Sequence, residues 1–533
     1  MNITQCFEIL EQSDKVRFFG RRKSVDNKLL ALKTLAEIGS PSLIESLFRY
    51  LKPASLRLET LQTIKVLFKK LKGKKDLYNS LKYCRISKQD IAYYKQFFDY
   101  HDFMFLMQIA SLNHNGYIRE IAIRYLGKSK NSMVLPFLIF RLGDWVVNVR
   151  NAAKEELQQF IQPKFHLELT HHLSLFQWLQ KVQRTDLSSI YEQIIHFLIV
   201  EHRQTTLQFF KNIPEKERRI LAQEFDKNLP LSSELQLFID DKHFLIRLLA
   251  VKHFDKLSAS QQEKLLNDTF GRIRYAALDC CVNHDNFHTL LIKYLADKSE
   301  NVRYLSRYYL KESKIDFQQF YIDNLKNGNQ LIGSLLGLLD IEAKNCEIHI
   351  NPFLEHEKVS IAKTAFYVFT KLNPDGIYDF AKANLFSKHT GIRNIAIDYF
   401  TVNRTKEVLQ MAHNQYDKAN YGIKLSILKL FSRIGGFDVL PYLLMGTVNH
   451  NDNIRYQSIR YLQRWRPEPR EYTDNRNETD KDNLRKVFNH VNRMHMKHSF
   501  FEKNPLKIVD FHIKYYLSDE NYADFFIKYH YMK

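Results

Sequence analysis

One group of residues whose types could bind a metal lies in a short stretch of this sequence, at His166, Glu168, His171 and His172. Imidazole and carboxylate groups are common zinc ligands, but zinc requires a convergent, tetrahedral set of them. His171 and His172 follow His166 by five and six residues, and these offsets do not place three ring nitrogens on one face of a helix. We therefore predict no metal site here.

Short motifs that carry known chemistry are not found elsewhere in the 533 residues. The sequence has no G-x-x-x-x-G-K-S/T phosphate loop, no G-x-G-x-x-G loop that opens a helix, no G-x-S-x-G nucleophile turn and no H-E-x-x-H zinc helix. Its five cysteines form no C-x-x-C pair, and buried free thiols are the simplest interpretation. The sequence therefore predicts no cofactor, no small-molecule substrate and no catalysis.

Acidic and amide side chains recur at a fixed distance before arginines. Asp and Asn favour the turn that precedes a helix, because their side-chain oxygens accept backbone N–H groups there. In a stack of helices the same side chain could also meet an Arg of an adjacent unit, and both roles are structural. The pairs, each separated by six residues, are Asp144/Arg150, Asp241/Arg247, Asp268/Arg274, Asp297/Arg303, Asn113/Arg119 and Asn449/Arg455.

These arginines belong to a repeated pattern that is clearest between residues 391 and 462. The basic residues Arg393, Lys424 and Arg455 are spaced 31 residues apart. Each is followed by a small or apolar residue three positions later and a larger apolar residue seven positions later, and these positions lie on one face of a helix. The same marker recurs upstream at intervals of 27 to 31 residues, or close to multiples of them. A fixed period with helical patterning indicates a solenoid of stacked units.

The repeated pattern, D-x-x-x-x-V/I-R-x-x-A-x-x-x-L, resembles HEAT repeats when it is followed by a second helix such as MVLPFLIFRL (133–142) or DVLPYLLMGTV (438–448). The units of roughly 30 residues resemble the short variety that also occurs in bilin-lyase-type proteins. This resemblance covers about residues 25 to 465. It implies an all-α fold, namely a right-handed α-solenoid (an alpha-alpha superhelix, armadillo/HEAT-like) of stacked antiparallel helix pairs.

The domain organisation follows from where this pattern is clear and where it stops. We predict one continuous repeat array over residues 1–465, with the weakest pattern in 161–240. Residues 466–483 are polar and interrupted by proline, which is typical of a linker or long loop. The segment 484–533 is helical in pattern, and we expect it to cap the array, since a solenoid must cover its terminal apolar face.

Hydrophobic runs in the sequence are short. The longest uncharged one, MVLPFLIF at 133–140, falls far below the 18 or more residues of a membrane span. The first residues carry acids early and a basic cluster late, which is the reverse of a secretory signal. We therefore predict a cytoplasmic protein with no membrane span.

The formal charge of +20 points to a polyanion as one alternative ligand. Two basic clusters near the amino terminus are candidates for binding nucleic acid or another polyanion, although a solvated helix surface explains them more simply. The candidate residues are Arg21, Arg22, Lys23, Lys69, Lys70, Lys72, Lys74 and Lys75.

An array of this kind favours binding over catalysis, because its extended surface can dock a macromolecule through many weak contacts. We expect the partner to be another protein, with nucleic acid as the alternative. A remote enzymatic alternative rests on resemblance alone: some alkylpurine DNA glycosylases are similar short-repeat solenoids that use Trp, Asp and Arg side chains in a basic groove. Asp144, Trp145 and Arg150 supply these residue types, although the repeat already accounts for Asp144 and Arg150.

Overall fold

The regular structure is helical throughout the described part of the chain, in which 32 α-helices are joined by turns and short 3-10 segments and no β-strand occurs. The predicted fold class, an all-α solenoid of stacked antiparallel helix pairs, is confirmed. Within the same residues no helix is long and apolar enough to cross a membrane. The computed structural model describes residues 1–12, 18–71, 81–228, 232–467, 478–498 and 505–518.

The chain divides into two compact units, Met1–Cys280 and Cys281–Lys533. The α-helices of the first unit are α1 (Ile3–Glu11), α2 (Phe18–Ile38), α3 (Ile44–Leu47), α4 (Arg57–Lys69), α5 (Lys88–Phe97), α6 (Tyr100–Ala110), α7 (Gly116–Lys128), α8 (Leu135–Leu142), α9 (Val147–Gln158), α10 (His166–His171), α11 (Leu173–Leu179), α12 (Ser188–His196), α13 (Arg203–Phe209), α14 (Glu215–Lys227), α15 (Ser232–Ile239), α16 (Phe244–Val251), α17 (Ala259–Leu266) and α18 (Gly271–Cys280).

The helices that carry the marker arginines pack directly on one another in the first unit, α7 on α9 and α16 on α18, and α14 packs on α16 in the same way. Small residues allow this close approach. The alanines three positions after the markers, among them Ala122 and Ala153, are fully buried. At Gly127 a Cβ atom would lie 2.3 Å from Cβ of Glu156 in α9. The small-residue positions of the pattern are therefore the seams between neighbouring units.

The stretch with the weakest pattern, 161–240, remains helical but is built from shorter pieces. Helices α10, α11 and α13 have six or seven residues each, and a π-helical turn follows α12 at Phe197–Glu201. Helix α11 packs against α8 on one side and against α12 and α14 on others. This irregular segment therefore brings the side chains of α11 next to the clear repeat at α8 and α9.

The second unit continues with the same kind of helix pairs. Its helices are α19 (Phe287–Tyr294), α20 (Glu300–Leu310), α21 (Phe317–Lys326), α22 (Leu331–Asp340), α23 (Glu347–Ile350), α24 (Val359–Leu372), α25 (Tyr378–Ala383), α26 (Thr390–Val402), α27 (Lys406–Tyr416), α28 (Tyr421–Ile434), α29 (Leu440–Gly446), α30 (Asp452–Arg464), α31 (Glu478–His498) and α32 (Asp510–Leu517). The series α20, α22, α24, α26, α28 and α30 packs side by side.

The last two helices lie against the final repeat. Helix α31 packs on α29, and the ring of Tyr516 in α32 stacks on Phe437 with centroids 3.8 Å apart. Helix α31 begins at Glu478, inside the stretch 466–483 that the sequence suggested as a linker, because Glu478 and Asp480 favour the amino-terminal turn of a helix.

The cysteines differ in one respect from the sequence-based expectation. Cys6, Cys84, Cys281 and Cys346 are buried, but Cys280 is exposed at the carboxyl end of α18. The prediction of buried thiols was therefore wrong for Cys280, because the buried position seven residues after the marker Arg274 is taken by Cys281, and Cys280 lies one residue away from it.

Candidate functional site

Each marker arginine closes the turn that precedes its own helix. In Arg119, Nη1 donates to the carbonyl oxygens of Asn113 and His114, at 2.9 and 2.8 Å. The Asp or Asn six residues before the marker also binds its own turn, since Oδ1 of Asp144 accepts the N–H of Val146 at 2.9 Å. The spacing of six residues therefore reflects two local hydrogen bonds. The bond to the carbonyl six residues back recurs in Arg150, Arg247, Arg274, Arg303, Arg393 and Arg455.

Arg119 and Arg247, together with Arg218 of α14, also reach a carboxylate of the following unit. Bidentate pairs join Arg119 to Asp144, Arg218 to Asp241 and Arg247 to Asp268, each through Nε and Nη2. These contacts form a ladder, by which we mean the row of Arg–Asp pairs between successive units. Each bidentate pair makes two parallel hydrogen bonds, which fix both the distance between the Arg and Asp side chains and their relative orientation.

The ladder is not uniform along the chain. Arg303 pairs with Asp340 at the end of α22, at 2.8 and 2.9 Å, and Arg307 joins the same carboxylate. Arg393 meets the hydroxyl of Ser426 at 3.1 Å in the place where other units have a carboxylate. Asp297 accepts the N–H of Ser299 in its own turn. The predicted residue types are therefore placed at the unit boundaries, but the partner varies from one boundary to the next.

Asp144 is the most enclosed acid of the ladder, with no exposed side-chain surface. Nη1 of Arg141 approaches its Oδ2 at 2.6 Å, in addition to the two bonds from Arg119. Burial by itself would raise the pKa of Asp144, but the hydrogen bonds from Arg119, from the Val146 N–H and from Arg141 outweigh this effect and hold the pKa below its ordinary value. The carboxylate is therefore a fixed anion whose oxygens are engaged within the protein.

The contacts of Asp144 and Arg150 argue against a catalytic site like that of an alkylpurine DNA glycosylase. Asp144 lies behind the two guanidinium groups of Arg119 and Arg141, and Arg150 donates to the carbonyl oxygens of Asp144 and Trp145. A catalytic carboxylate must reach the reacting atoms or a water between them. Asp144 is out of such reach, so the three residues supply no catalytic arrangement of this type.

Trp145, by contrast, stands at the edge of a cleft of about 620 Å³. Its side chain is 67% exposed. The opposite wall comes from Phe140 of α8 and Trp178 of α11, whose rings are stacked with centroids 5.7 Å apart and an interplanar angle of 21°. Gly143 forms part of the floor, where a Cβ atom would lie 3.5 Å from the Trp178 ring. We call this the Trp145–Trp178 cleft.

The rim of the Trp145–Trp178 cleft is basic. Lys181, Val182, Gln183 and Arg184 line it from the turn after α11, and Lys181 and Arg184 are exposed. Within the described part of the chain, neither of these cations forms a salt bridge. Sequence reasoning singled out Trp145 but missed Trp178, Lys181 and Arg184, because they fall where the repeat pattern is weak.

Comparison with known proteins gives similarity in structure only. No family model and no curated protein matches this chain. Among solved structures, the karyopherin Kap121p bound to the SUMO protease Ulp1p matches with 12% identity and a TM-score of 0.36, over 91% of this chain and 65% of the other. A Kap121p mutant matches with 11% identity over the same shares at the same TM-score. Kap121p bound to RanGTP matches with 14% identity, over 87% and 56%, at a TM-score of 0.25.

These similarities concern the helical-repeat fold. In the first two matches this chain spans 65% of the karyopherin's length, which is less than two thirds.

The amino-terminal basic candidates are only partly described. Arg21, Arg22 and Lys23 lie in α2, but their side chains are outside the described set, as are Lys72, Lys74 and Lys75 entirely. Lys69 is exposed at the end of α4. Lys70 has a local role, because its Nζ donates to the carbonyl oxygens of Ala36, Glu37 and Gly39 at 2.9 to 3.0 Å and so caps the carboxyl end of α2.

A second basic face, which the sequence analysis did not single out, lies on α30. Tyr456, Arg460 and Arg464 are exposed at intervals of four residues, so they share one side of this helix. Burial raises the pKa of Tyr461, while the nearby guanidinium groups of Arg433, Arg460 and Arg464 oppose that rise. No carboxylate in the described ranges pairs with Arg460 or Arg464, whereas Arg433 pairs with Asp398.

The histidines of the weak stretch do not converge. His166 is buried, and its Nε2 lies 2.8 Å from the hydroxyl of Thr206, whereas His171 is exposed. The described residues contain no group of three or more His, Cys, Asp or Glu side chains that could hold a metal ion. His166 therefore belongs to the packing between α10 and α13.

Exposed aromatic side chains also occur on the marker helices. In α20, Tyr304 and Tyr308 are 62% and 53% exposed, and their rings lie side by side with centroids 6.4 Å apart. The opposite side of α20 is buried through Val302 and Ser306. Helix α20 is therefore held in place by its buried face and exposes two large tyrosine side chains to solvent on the other.

Proposed function

We propose that this chain is a non-catalytic binding scaffold whose principal partner is another protein. The observation that carries the proposal is the exposed pair Tyr304 and Tyr308 on an otherwise anchored helix. Tyrosine is enriched among residues that dominate binding energy at protein interfaces, because it offers a large contact area at low cost in conformational entropy. A solenoid presents such side chains along an extended surface.

The charged groups support binding in preference to catalysis. The Asp and Arg side chains that recur along the repeat are engaged in turns and in the ladder, as Asp144 and Arg247 illustrate. The proposal includes the finer features of the sequence interpretation: short HEAT repeats like those of bilin-lyase-type proteins, one array over residues 1–465, a helical cap at 484–533 and a cytoplasmic location.

The proposal is tested by affinity capture from the native host with the full-length chain as bait. The wild-type chain should retain at least one protein that the Tyr304→Ala/Tyr308→Ala variant loses, as quantified by mass spectrometry. Tyr83→Ala/Tyr100→Ala removes two tyrosines of 53% exposure each that lie elsewhere, and it should retain the same protein. If the wild-type chain enriches no protein over an unrelated solenoid bait, the scaffold proposal is wrong.

Polyanion binding is the second candidate. It is favoured by the basic face of α30, where Arg460 and Arg464 are exposed and pair with no carboxylate in the described part of the chain. Arg460 and Arg464 could contact phosphates while Tyr456 stacks on an exposed base. Binding of a labelled random-sequence oligonucleotide should weaken steeply with salt. The variant Arg460→Gln/Arg464→Gln should lower the slope of log K against log salt by about 1 for each phosphate that it no longer binds.

The amino-terminal cluster is tested in the same titration. Neutralising Arg21, Arg22 and Lys23 to Gln should weaken binding if the sequence-based location is right. Lys128→Gln/Lys154→Gln/Lys242→Gln removes three exposed lysines elsewhere and is the matched control. Oligonucleotide binding too weak to measure at low salt in the wild-type chain would eliminate the polyanion candidate.

A further inference from the structure

We propose that the Trp145–Trp178 cleft binds a segment of the partner protein in which an aromatic or large aliphatic side chain is flanked by Asp or Glu. This inference rests on the proposed scaffold function and deepens it by assigning a site and a peptide chemistry. The cleft lies wholly within the first unit, between α8, the turn before α9, and α11 with the turn that follows it.

The inner wall of the cleft is suited to an apolar group. Phe140, Trp178 and Val182 present carbon surface, and Gly143 keeps the floor open. The polar groups at this depth, Asp144 and Arg141, are bonded to each other at 2.6 Å. A site that reads a nucleobase needs hydrogen-bonding groups directed at the edge of the base. Here both carboxylate oxygens of Asp144 already accept hydrogen bonds from within the protein. Most of the inner lining is the carbon surface of Phe140, Trp178 and Val182, which favours a hydrocarbon or aromatic side chain over a base.

The size of the cleft agrees with this occupant. Its volume of about 620 Å³ lies within the range of about 300–1,000 Å³ that is usual for ligand sites. One large side chain would sit against Trp178, and the chain on either side of it would pass along the rim. The exposed Trp145 at the mouth offers a further aromatic surface to the inserted side chain, and aromatic residues are enriched among those that dominate binding energy at protein interfaces.

The positive charge at the rim of the cleft predicts which residues flank the apolar side chain in the partner segment. Lys181 and Arg184 are exposed cations, and the carboxylate among the lining residues, Asp144, is shielded by Arg119 and Arg141. An acidic segment would gain attraction from both rim cations, whereas a basic one would be repelled. The partner segment is therefore expected to carry acids next to its apolar anchor.

The test begins with a display library of random peptides panned on the full-length protein. Enriched peptides should share an aromatic or large aliphatic residue next to Asp or Glu. A fluorescein-labelled example is then titrated by anisotropy. The variants Trp145→Ala and Lys181→Glu/Arg184→Glu should each weaken its binding by about tenfold or more, because the first removes a large aromatic contact and the second replaces attraction of the acidic peptide by repulsion.

Two further variants separate binding from folding. Lys128→Glu/Lys154→Glu reverses the same amount of charge at exposed positions outside the cleft and should leave the affinity within about twofold. A peptide in which Lys replaces the acids should bind the Lys181→Glu/Arg184→Glu variant better than it binds the wild-type chain. This exchange of preference occurs only in a folded protein whose rim contacts the peptide.

The possible results lead to different conclusions. Enriched peptides that lack the aromatic–acidic pattern, or that bind the cleft variants as tightly as the wild-type chain, would contradict the assignment of the cleft as the peptide-binding site. They would not contradict the scaffold function. An oligonucleotide that displaces the labelled peptide, and whose own binding falls in Trp145→Ala, would overturn the peptide assignment in favour of nucleic acid. If neither the library nor the host-protein capture gives any binding to the wild-type chain, the scaffold function itself fails.

Discussion

Asp144 carries a negative charge into the seam between α7 and α9, where Arg119 and Arg141 both bond to it. Removing one partner of a buried ion pair leaves the other charge without compensation, which costs about 3 kcal/mol or more. We therefore expect Asp144→Asn to lower the local stability of α7 and α9 by about 3 kcal/mol. Native-state amide hydrogen exchange measures this directly, because repeat proteins do not unfold as one two-state unit.

The matched control is Asp452→Asn, which removes a carboxylate that is 90% exposed and pairs with Arg455. Exposed ion pairs contribute little, so exchange in α30 should be unchanged within error. The effect at Asp144 should also depend on pH. Its folded-state pKa is depressed, so the stabilisation is present above the unfolded pKa of about 4 and is lost as the pH falls through the lower folded value. Equal exchange in Asp144→Asn and wild type at neutral pH would contradict the ladder account.

His166 is a second buried titratable group, and unlike Asp144 it is charged when it is protonated. Burial lowers its pKa, and the neighbouring His202 adds to the effect, while Glu168 opposes it. The Thr206 hydroxyl donates to the carbonyl oxygen of Leu198 at 2.5 Å and so accepts from Nε2 of His166 at 2.8 Å. Nδ1 is buried and has no hydrogen-bond partner among the residues that the structure describes, so protonation there would place an unsatisfied charge in the interior.

The pH dependence follows from this depressed pKa. The neutral ring is fully compatible with folding above the unfolded pKa of about 6.5, and stability is lost as the pH falls below that value and through the folded one. His166→Gln keeps a donor to Thr206 and cannot be protonated, so hydrogen exchange in α10 and α13 should lose part of its pH dependence between about pH 7.5 and 5.5. The exposed His171→Gln should leave that dependence as it is. An unchanged dependence in His166→Gln would show that another group is responsible.

At the residue scale, the sequence predicted the residue types and the spacing of the repeat, but it did not predict which side chains pair with each other. The interval of six residues between Asp144 and Arg150 could be predicted because it reflects hydrogen bonds within one turn. The partner of Arg303 could not be predicted, because it is Asp340 at the end of α22, where the repeat is degenerate. The Trp145–Trp178 cleft was missed for a similar reason, since its second wall comes from the irregular helix α11.

At the scale of elements, Gly333 of α22 lies close against the turn that precedes α20. A Cβ atom there would lie 1.7 Å from the carbonyl oxygen of Ala296, and backbone cannot move aside as a flexible side chain can. Alanine is normally favoured over glycine within a helix by about 1 kcal/mol. We expect the reverse for Gly333→Ala, with a loss of about 1–3 kcal/mol from the displaced backbone, measured by hydrogen exchange in α20 and α22.

Gly391→Ala in α26 is the matched control for this prediction. Its Cβ atom would meet the Lys363 side chain at 3.1 Å, and that chain can turn away. The substitution should therefore be neutral or stabilising by up to about 1 kcal/mol. If Gly333→Ala also proves neutral or stabilising, the approach of α22 to the turn before α20 is looser than the structure indicates.

At the scale of the whole molecule, the regular spacing of the repeat made it possible to predict a stack of helix pairs from the sequence. A helix pair that exposes a small-residue seam is stable only when a neighbour covers it, so the repeat of Arg393, Lys424 and Arg455 implies a stack before any contact is known. The same reasoning implies that the last repeat needs a cover, but the period does not specify how the covering residues pack. In the second unit we propose that α32 supplies this cover through aromatic contacts, because Tyr516 stacks on Phe437 and the His512 ring lies 5.8 Å from the Trp465 ring.

Removal of this cover gives a prediction for the second unit. A chain that ends at residue 504 lacks α32, and the apolar surfaces of Phe437 and Trp465, which are 3% and 1% exposed, would then face water. We expect increased fluorescence of bound anilinonaphthalene sulfonate, a red shift in tryptophan emission and faster self-association in light scattering, because exposed apolar patches drive aggregation. A chain that ends at residue 518 retains α32 and is the control. Equal dye binding by the two chains would mean that α32 does not cover this face in solution, and the stack would then close through α31 alone.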